Sequence, residues 1–270
     1  MSDARPIGVF DSGIGGLTVV SALRRALPNE SIYYIGDTAR VPYGGKSATT
    51  VQRYSSEIAS LLLGEDAKTI VVACNTASAL ALPMLEQTLP VSVTGVIAPG
   101  AKAATAATRN GHIGVIGTRA TIKSGAYEQA LRKLNPDVRV STRACPLLVP
   151  LIEEGWLTSD LTDEIVMQYL QPLLDDGVDT LVLGCTHYPL LRPAIQRLLG
   201  DNITLVDSAE NCATAVRELL GREGLTAPNE SNGTLQVALT DPPDAFLEIA
   251  HQALQLDIGE VQIVDLAPVH

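Results

Sequence analysis

Positive charge is scarce in this chain. Lysine and arginine number 19 against 30 acidic residues, a net charge of −11 over 270 residues. The densest basic cluster is only Arg24-Arg25, whereas a nucleic-acid surface ordinarily needs a basic patch. A nucleic-acid partner is therefore not expected, and an anionic substrate would have to be bound by local donors rather than bulk attraction. No apolar run approaches the length of a membrane span. Met1 to Pro6 leads straight into the first apolar strand without a hydrophobic leader, so the expected location is the cytoplasm, off the membrane. Cysteines number four, and in that compartment they read as free thiols, not a disulfide framework. With no C-x-x-C pair, ordinary dithiol exchange is excluded as well.

Cofactor signatures are also missing. Gly13, Gly15 and Gly16 follow a strand, but position 18 is threonine, so the dinucleotide pattern G-x-G-x-x-G is broken. Gly44 to Ser47 imitates the tail of a phosphate-binding loop, yet the glycine required ahead of it is replaced by Arg40. Cys185-x-His187 lacks the two further ligands of a zinc site. The five lysines (46, 68, 102, 123 and 133) show no recognisable Schiff-base context. No cofactor and no metal are expected.

What is present is apolar and periodic. Hydrophobic residues make up 46% and charged residues 18% of the chain, enough for a substantial core in two ordinary domains or one large one. Strands are expected at Ile7–Phe10, Ser31–Ile35, Thr69–Ala73, Val91–Val96, Ile113–Ile116, Val138–Thr142, Thr180–Leu183, Ile203–Val206, Leu235–Leu239 and Val261–Val264. Helical periodicity fills the intervals. Val51, Tyr54, Ile58, Leu61 and Leu62 share one face, with Ser47 as N-cap and Gly64 as stop. The polar stretch from Thr226 to Gly233 reads as a loop. Near-continuous Val/Ile/Leu strands alternating with helices imply α/β architecture with mainly parallel sheets covered on both faces.

The chain also repeats itself. Ile7-Gly8-Val9 resembles Ile113-Gly114-Val115 at an offset of 106 residues, and "VVACNT" ending a strand at Cys74 resembles "VLGCTH" at Cys185, at 111. Val93-Thr94-Gly95-Val96 resembles Ile203-Thr204-Leu205-Val206 at 110. Two related α/β halves are expected, although "IGV" and "VV" are common strand words. Ligands in such sheets bind outside the carboxyl ends of the strands, where Asp11-Ser12, Asp37, Cys74, Thr118 and Cys185 all fall. If the halves face each other, two thiols converge on one cleft.

Each marked residue has a plainer reading. Cys145 and Cys212 are taken as small buried hydrophobes. Asp11 could cap the following helix, Asp37 could be a loop carboxylate, and Glu153-Glu154 could be a solvated helix end. Cys74 and Cys185 differ, because a helix is expected to begin just after each, which lowers a thiol's pKa and offers N–H groups to an anion. His187, two residues from a thiol, titrates near neutrality. Two opposed thiols without a cofactor suit removal of a proton from one face of a carbon and delivery of another to the opposite face, which inverts a stereocentre.

Seven ordered stretches carry a resemblance through most of the chain: "GVFDSGIGGLTV" from Gly8, "DTARVPYGGKS" from Asp37, "ACNTASA" from Ala73, "GTRATI" from Gly117, "CPLLVPLIEEG" from Cys145, "LGCTHYPLL" from Leu183 and "VDSA" from Val206. With them the sequence resembles the glutamate racemases of the aspartate/glutamate racemase superfamily. The resemblance implies two pseudo-symmetric, mainly parallel-sheet α/β domains facing each other across an active-site cleft. Residues 1–97 plus 207–270 would form one and 98–206 the other. It implies an isomerase that interconverts L- and D-glutamate for peptidoglycan synthesis, cofactor-independent and homodimeric. Cys74 would deprotonate D-glutamate and Cys185 L-glutamate. Asp11 would lie near Cys74 and the substrate ammonium, His187 near Cys185, and Asp37 and Glu153 would form a matched outer pair. Ser12, Tyr43, Gly44, Asn75, Thr76, Thr118, Thr121 and Thr186 would bind substrate together with Asp11 and His187. Two other readings stay open: a racemase of the same superfamily acting on aspartate, and a non-catalytic clamshell that binds an amino acid, in which paired thiols would have no purpose.

Overall fold

The computed structural model of the chain describes residues 2–242, 254, 256 and 258–266. Among these, ten strands are formed: β1 (Ile7–Asp11), β2 (Ile32–Gly36), β3 (Thr69–Val72), β4 (Val93–Gly95), β5 (His112–Gly117), β6 (Arg139–Ala144), β7 (Thr180–Gly184), β8 (Thr204–Asp207), β9 (Leu235–Leu239) and β10 (Val261–Ile263). The helices are α1 (Leu17–Ala26), α2 (Ala48–Gly64), α3 (Asn75–Leu80), α4 (Leu82–Thr88), α5 (Ile97–Ala107), α6 (Arg119–Lys123), α7 (Ala126–Leu134), α8 (Leu148–Glu153), α9 (Asp160–Asp175), α10 (Arg192–Leu199) and α11 (Ser208–Glu223).

Every expected strand is present, with shifted ends. β6 starts one residue late and runs on to Ala144, and β4 contracts to three residues. Both are edge strands, where fewer ladder bonds fix the ends. α2 begins after Ser47, whose Oγ accepts the Thr50 N–H, and ends at Gly64. Residues 226–233 are loop.

The strands form two all-parallel sheets, ordered β10-β9-β2-β1-β3-β4 and β6-β5-β7-β8. The run β2-β1-β3-β4 of the first has the same order as the whole second sheet, so the repeat in sequence is a repeat in topology. β9 and β10 extend the first sheet beyond β2. Central strands β1, β3, β5 and β7 are buried throughout, as strands covered on both faces must be.

Register fixes what meets at the carboxyl ends. Phe10 pairs with Val72, so Ser12 and Cys74, each two residues further on, lie level. Gly117 pairs with Gly184, which sets Thr118 level with Cys185. One core cluster contains residues of both sheets, including Val9, Val71, Ile116 and Leu183, together with Leu17 of α1 and Val216 of α11. The halves therefore share apolar packing, in addition to the polar contacts at the cleft. No helix among the described residues is long and apolar enough to cross a membrane.

Candidate active site

Cys74 leaves β3 and becomes the N-cap of α3, its Sγ accepting the Ala77 N–H at 3.4 Å. The thiol also lies 3.6 Å from Ser12 Oγ. Burial pushes the Cys74 thiol up to about 12, and the neighbouring Asp11 carboxylate pushes the same way, against the Ala77 and Ser12 hydrogen bonds. Cys74 thus holds its proton at neutral pH.

Cys185 follows β7 but is set differently from Cys74. No α-helix begins beside it; a short 3₁₀ turn at Tyr188–Leu191 precedes α10, with prolines at 189 and 193 near the two starts. The polar environment comes instead from side chains. Cys185 Sγ is 3.9 Å from His187 Nδ1, and His187 Nε2 is 3.1 Å from Glu153 Oε1 at the end of α8. Burial alone would lower the His187 pKa, but hydrogen bonding and charge from Cys185 and Glu153 outweigh it and raise it to about 10. His187 is therefore a cation at neutral pH, placed beside the Cys185 sulfur and paired with Glu153.

Asp11, fully buried, closes the turn before α1, accepting the Gly13 and Gly16 N–H groups at 3.2 and 3.0 Å. The N-cap position itself belongs to Gly16. Thr186 Oγ1 reaches Asp11 from the second half at 3.4 Å. Burial raises the Asp11 carboxyl above its usual range, opposed by His187 and the turn's N–H groups. Asp37, also buried, accepts from Arg40 Nε, Tyr43 Oη and Thr240 Oγ1. It braces the lip that carries Tyr43 and Gly44; no hydrogen bond among the described residues joins it to Cys74 or Glu153.

The two halves also meet through hydroxyls. Thr76 of α3 lies 3.0 Å from Thr118 and 3.1 Å from Thr121, and these two are 3.0 Å apart. Thr118 is the N-cap of α6 and accepts the Thr121 N–H. Thr76 and Thr118 of this triangle line a narrow cavity of about 30 Å³, room for no more than about two waters, so its walls must part to admit even a single amino acid.

Ten of the expected residues line that cavity: Ser12, Tyr43, Gly44, Cys74, Asn75, Thr76, Thr118, Cys185, Thr186 and His187. Asp11, Asp37, Glu153 and Thr121 stand behind the wall, joined to it by the bonds above. Val41, Pro42 and Val149 line it too and were not singled out in the sequence, because apolar lip residues carry no chemical signature. No lysine or arginine is in the wall, so an anion here must be held by neutral donors and His187. A roomier hollow at residues 224–230 contains neither thiol nor histidine. Cys145 and Cys212 are fully buried, and burial pushes both thiols up to about 12, as it does Cys74; they differ from it in that neither lines the cavity. Among the described residues no cluster of three or more His, Cys, Asp or Glu could hold a metal ion.

Known proteins resemble the chain along most of its length. The sequence model of the family described as Asp/Glu/Hydantoin racemase matches residues 7–216. A protein of Geobacter metallireducens named glutamate racemase is 52% identical over 97% of each chain. The solved glutamate racemase of Bacillus anthracis superposes with a TM-score of 0.92 at 43% identity, over 98% of each chain. That of Francisella tularensis, in complex with D-glutamate, gives 0.91 at 37% identity over the same shares.

Two outcomes test the geometry. A Cβ at residue 15 would lie 2.4 Å from His187 Nδ1 and 2.7 Å from Thr186 Oγ1, so Gly15→Ala must displace the imidazole. Its turnover is expected to fall about 100-fold with the circular dichroism spectrum retained; near-normal turnover would contradict the close approach. The second concerns pH. Folded His187 keeps its proton up to about 10, against 6.5 for an ordinary histidine. Its contribution to stability is complete below pH 6.5 and is lost as pH rises through 10. Between those values the melting temperature should fall more steeply for the wild type than for His187→Gln; parallel curves would refute the assignment.

Proposed function

The chain belongs to the Asp/Glu/hydantoin racemase family, and we propose that it interconverts L- and D-glutamate, without a cofactor, by passing protons through two thiols. The observation that carries this reading is the pair of buried cysteines, 74 and 185, at equivalent strand ends of the two sheets, on one small cavity. Curated relatives at about half identity carry the name glutamate racemase, which favours glutamate over aspartate and an isomerase over a mere binding protein. Its product supplies D-glutamate for peptidoglycan synthesis.

In this reading D-glutamate loses its Cα proton to Cys74 as Cys185 delivers one to the opposite face; L-glutamate runs the reverse course. Each turnover leaves one sulfur having gained a proton and the other having lost one, so the pair is reset by exchange with solvent. The Cα–H is far less acidic than a thiol, and the developing carbanion must be stabilised by donors already in place, in a site that excludes water. Thr76 and Thr118, backed by Thr121, supply such donors at one end, while Ser12, Tyr43, Gly44, Asn75 and Thr186 complete the hold on the substrate. Asp11, from behind the wall, is the carboxylate that favours a protonated substrate ammonium, which acidifies the neighbouring Cα–H. His187, backed by Glu153, balances the charge on Cys185. Asp37 acts at one remove, through Tyr43 and the lip.

We also take residues 1–97 with 207–270 as one domain and 98–206 as the other. β5 to β8 make up the second sheet, and β9 and β10 join the first. A homodimer working in the cytoplasm completes the proposal.

The test is direct. Wild-type protein, without added cofactor and in the presence of EDTA, should racemise L-glutamate far faster than L-aspartate by chiral chromatography. Cys74→Ser and Cys185→Ser should each lose about 10³-fold or more in turnover with circular dichroism unchanged. Near-normal turnover in either folded variant, or a preference for aspartate, would overturn the reading.

A further inference from the structure

Tyr127 lies outside the cavity yet touches its wall. It sits in α7, 2% exposed, with its ring in the apolar cluster of Ile97, Val115, Leu131 and Val182. Its hydroxyl donates to Asn75 Oδ1 at 2.6 Å. With the tyrosine hydroxyl as donor, the carbonyl end of the Asn75 amide faces the tyrosine. The other end, Nδ2, is buried and has no hydrogen-bond partner among the described residues, while Asn75 lines the cavity. A buried donor left unpaired is costly and rare in native proteins unless something else satisfies it.

We infer that Tyr127 is a positioning residue: its hydroxyl locks the Asn75 amide so that Nδ2 donates to a carboxylate of the bound substrate. The inference rests on the reading of the cavity as a glutamate site. The Asn75 amide can turn about its last torsion and exchange donor for acceptor. Without the tyrosine hydroxyl it would present Oδ1 to a carboxylate in part of the population, a repulsive contact. Tyr127 reaches across from the second half to a residue of the first, so the orientation is set only when the halves are packed together.

Tyr127→Phe keeps the ring and removes only the hydroxyl. Racemisation followed from both enantiomers is expected to show KM raised about tenfold. The turnover number should change by less than about threefold, because a carboxylate contact of this kind is present in ground and transition states alike. The melting temperature should fall by no more than about 4 °C. In an Asn75→Ala background the same substitution should leave KM unmoved, since the two act as one unit. A KM unchanged in Tyr127→Phe would overturn the inference while leaving the functional reading intact, given an active wild type. So would KM effects that add in the double variant, as a purely structural tyrosine predicts. A wild type that racemises neither enantiomer of glutamate would sink both.

Discussion

The contact on which the site depends is the interlock between the turn after β1 and the turn after β7. Thr18 Oγ1 donates to the Thr186 carbonyl at 3.0 Å, and Thr186 Oγ1 reaches Asp11. Gly15 has no side chain where His187 approaches. Three small or polar residues on one side thus accept a histidine and a threonine from the other with no room to spare. Close-packed interfaces of this kind are held to a few tenths of an ångström. The position of Cys185 relative to Cys74 follows from it, and proton transfer at a single carbon tolerates little error in that position.

Around this interlock the charges are arranged locally, in a protein whose overall charge opposes an anionic substrate. The wall offers hydroxyls and one amide but no lysine or arginine. The cation present, His187, is placed beside a sulfur and paired with Glu153. A fixed arginine would bind a carboxylate strongly in every state; neutral donors already in place favour the carboxylate most as its charge grows. Cys74, held as a thiol by burial and by Asp11, and Cys185, beside a cation, are chemically unlike although their strands are equivalent. The two directions of reaction therefore begin from different partners.

The fold was readable because buried parallel strands are nearly continuous apolar runs, and because one topology occurs twice. "VVACNT" and "VLGCTH" each marked a central strand and the thiol at its end. Edges were less clear: β6, with Arg139 and Arg143 exposed, reads by alternation, and its end lies where pairing with β5 stops. The surroundings of Cys185 were anticipated as a helix start, but the Pro189 and Pro193 that follow divide that segment into a 3₁₀ turn and a later helix. Tyr127 could not be found from sequence. It is 52 residues from Asn75, in a helix whose pattern explains it as core, and only the packed halves show where its hydroxyl goes. Val149 escaped for a similar reason, since an apolar lip residue resembles any other valine.

Turnover of L-glutamate in D2O, followed at low conversion by NMR and chiral chromatography, tests the two-thiol account most directly. If Cys185 takes the proton from one face and Cys74 supplies another from solvent, the first D-glutamate formed carries deuterium at Cα while the remaining L-glutamate stays protiated. Substantial protium in that early D-glutamate would mean that one group removes and returns the same hydrogen, and would contradict the separate roles of Cys74 and Cys185.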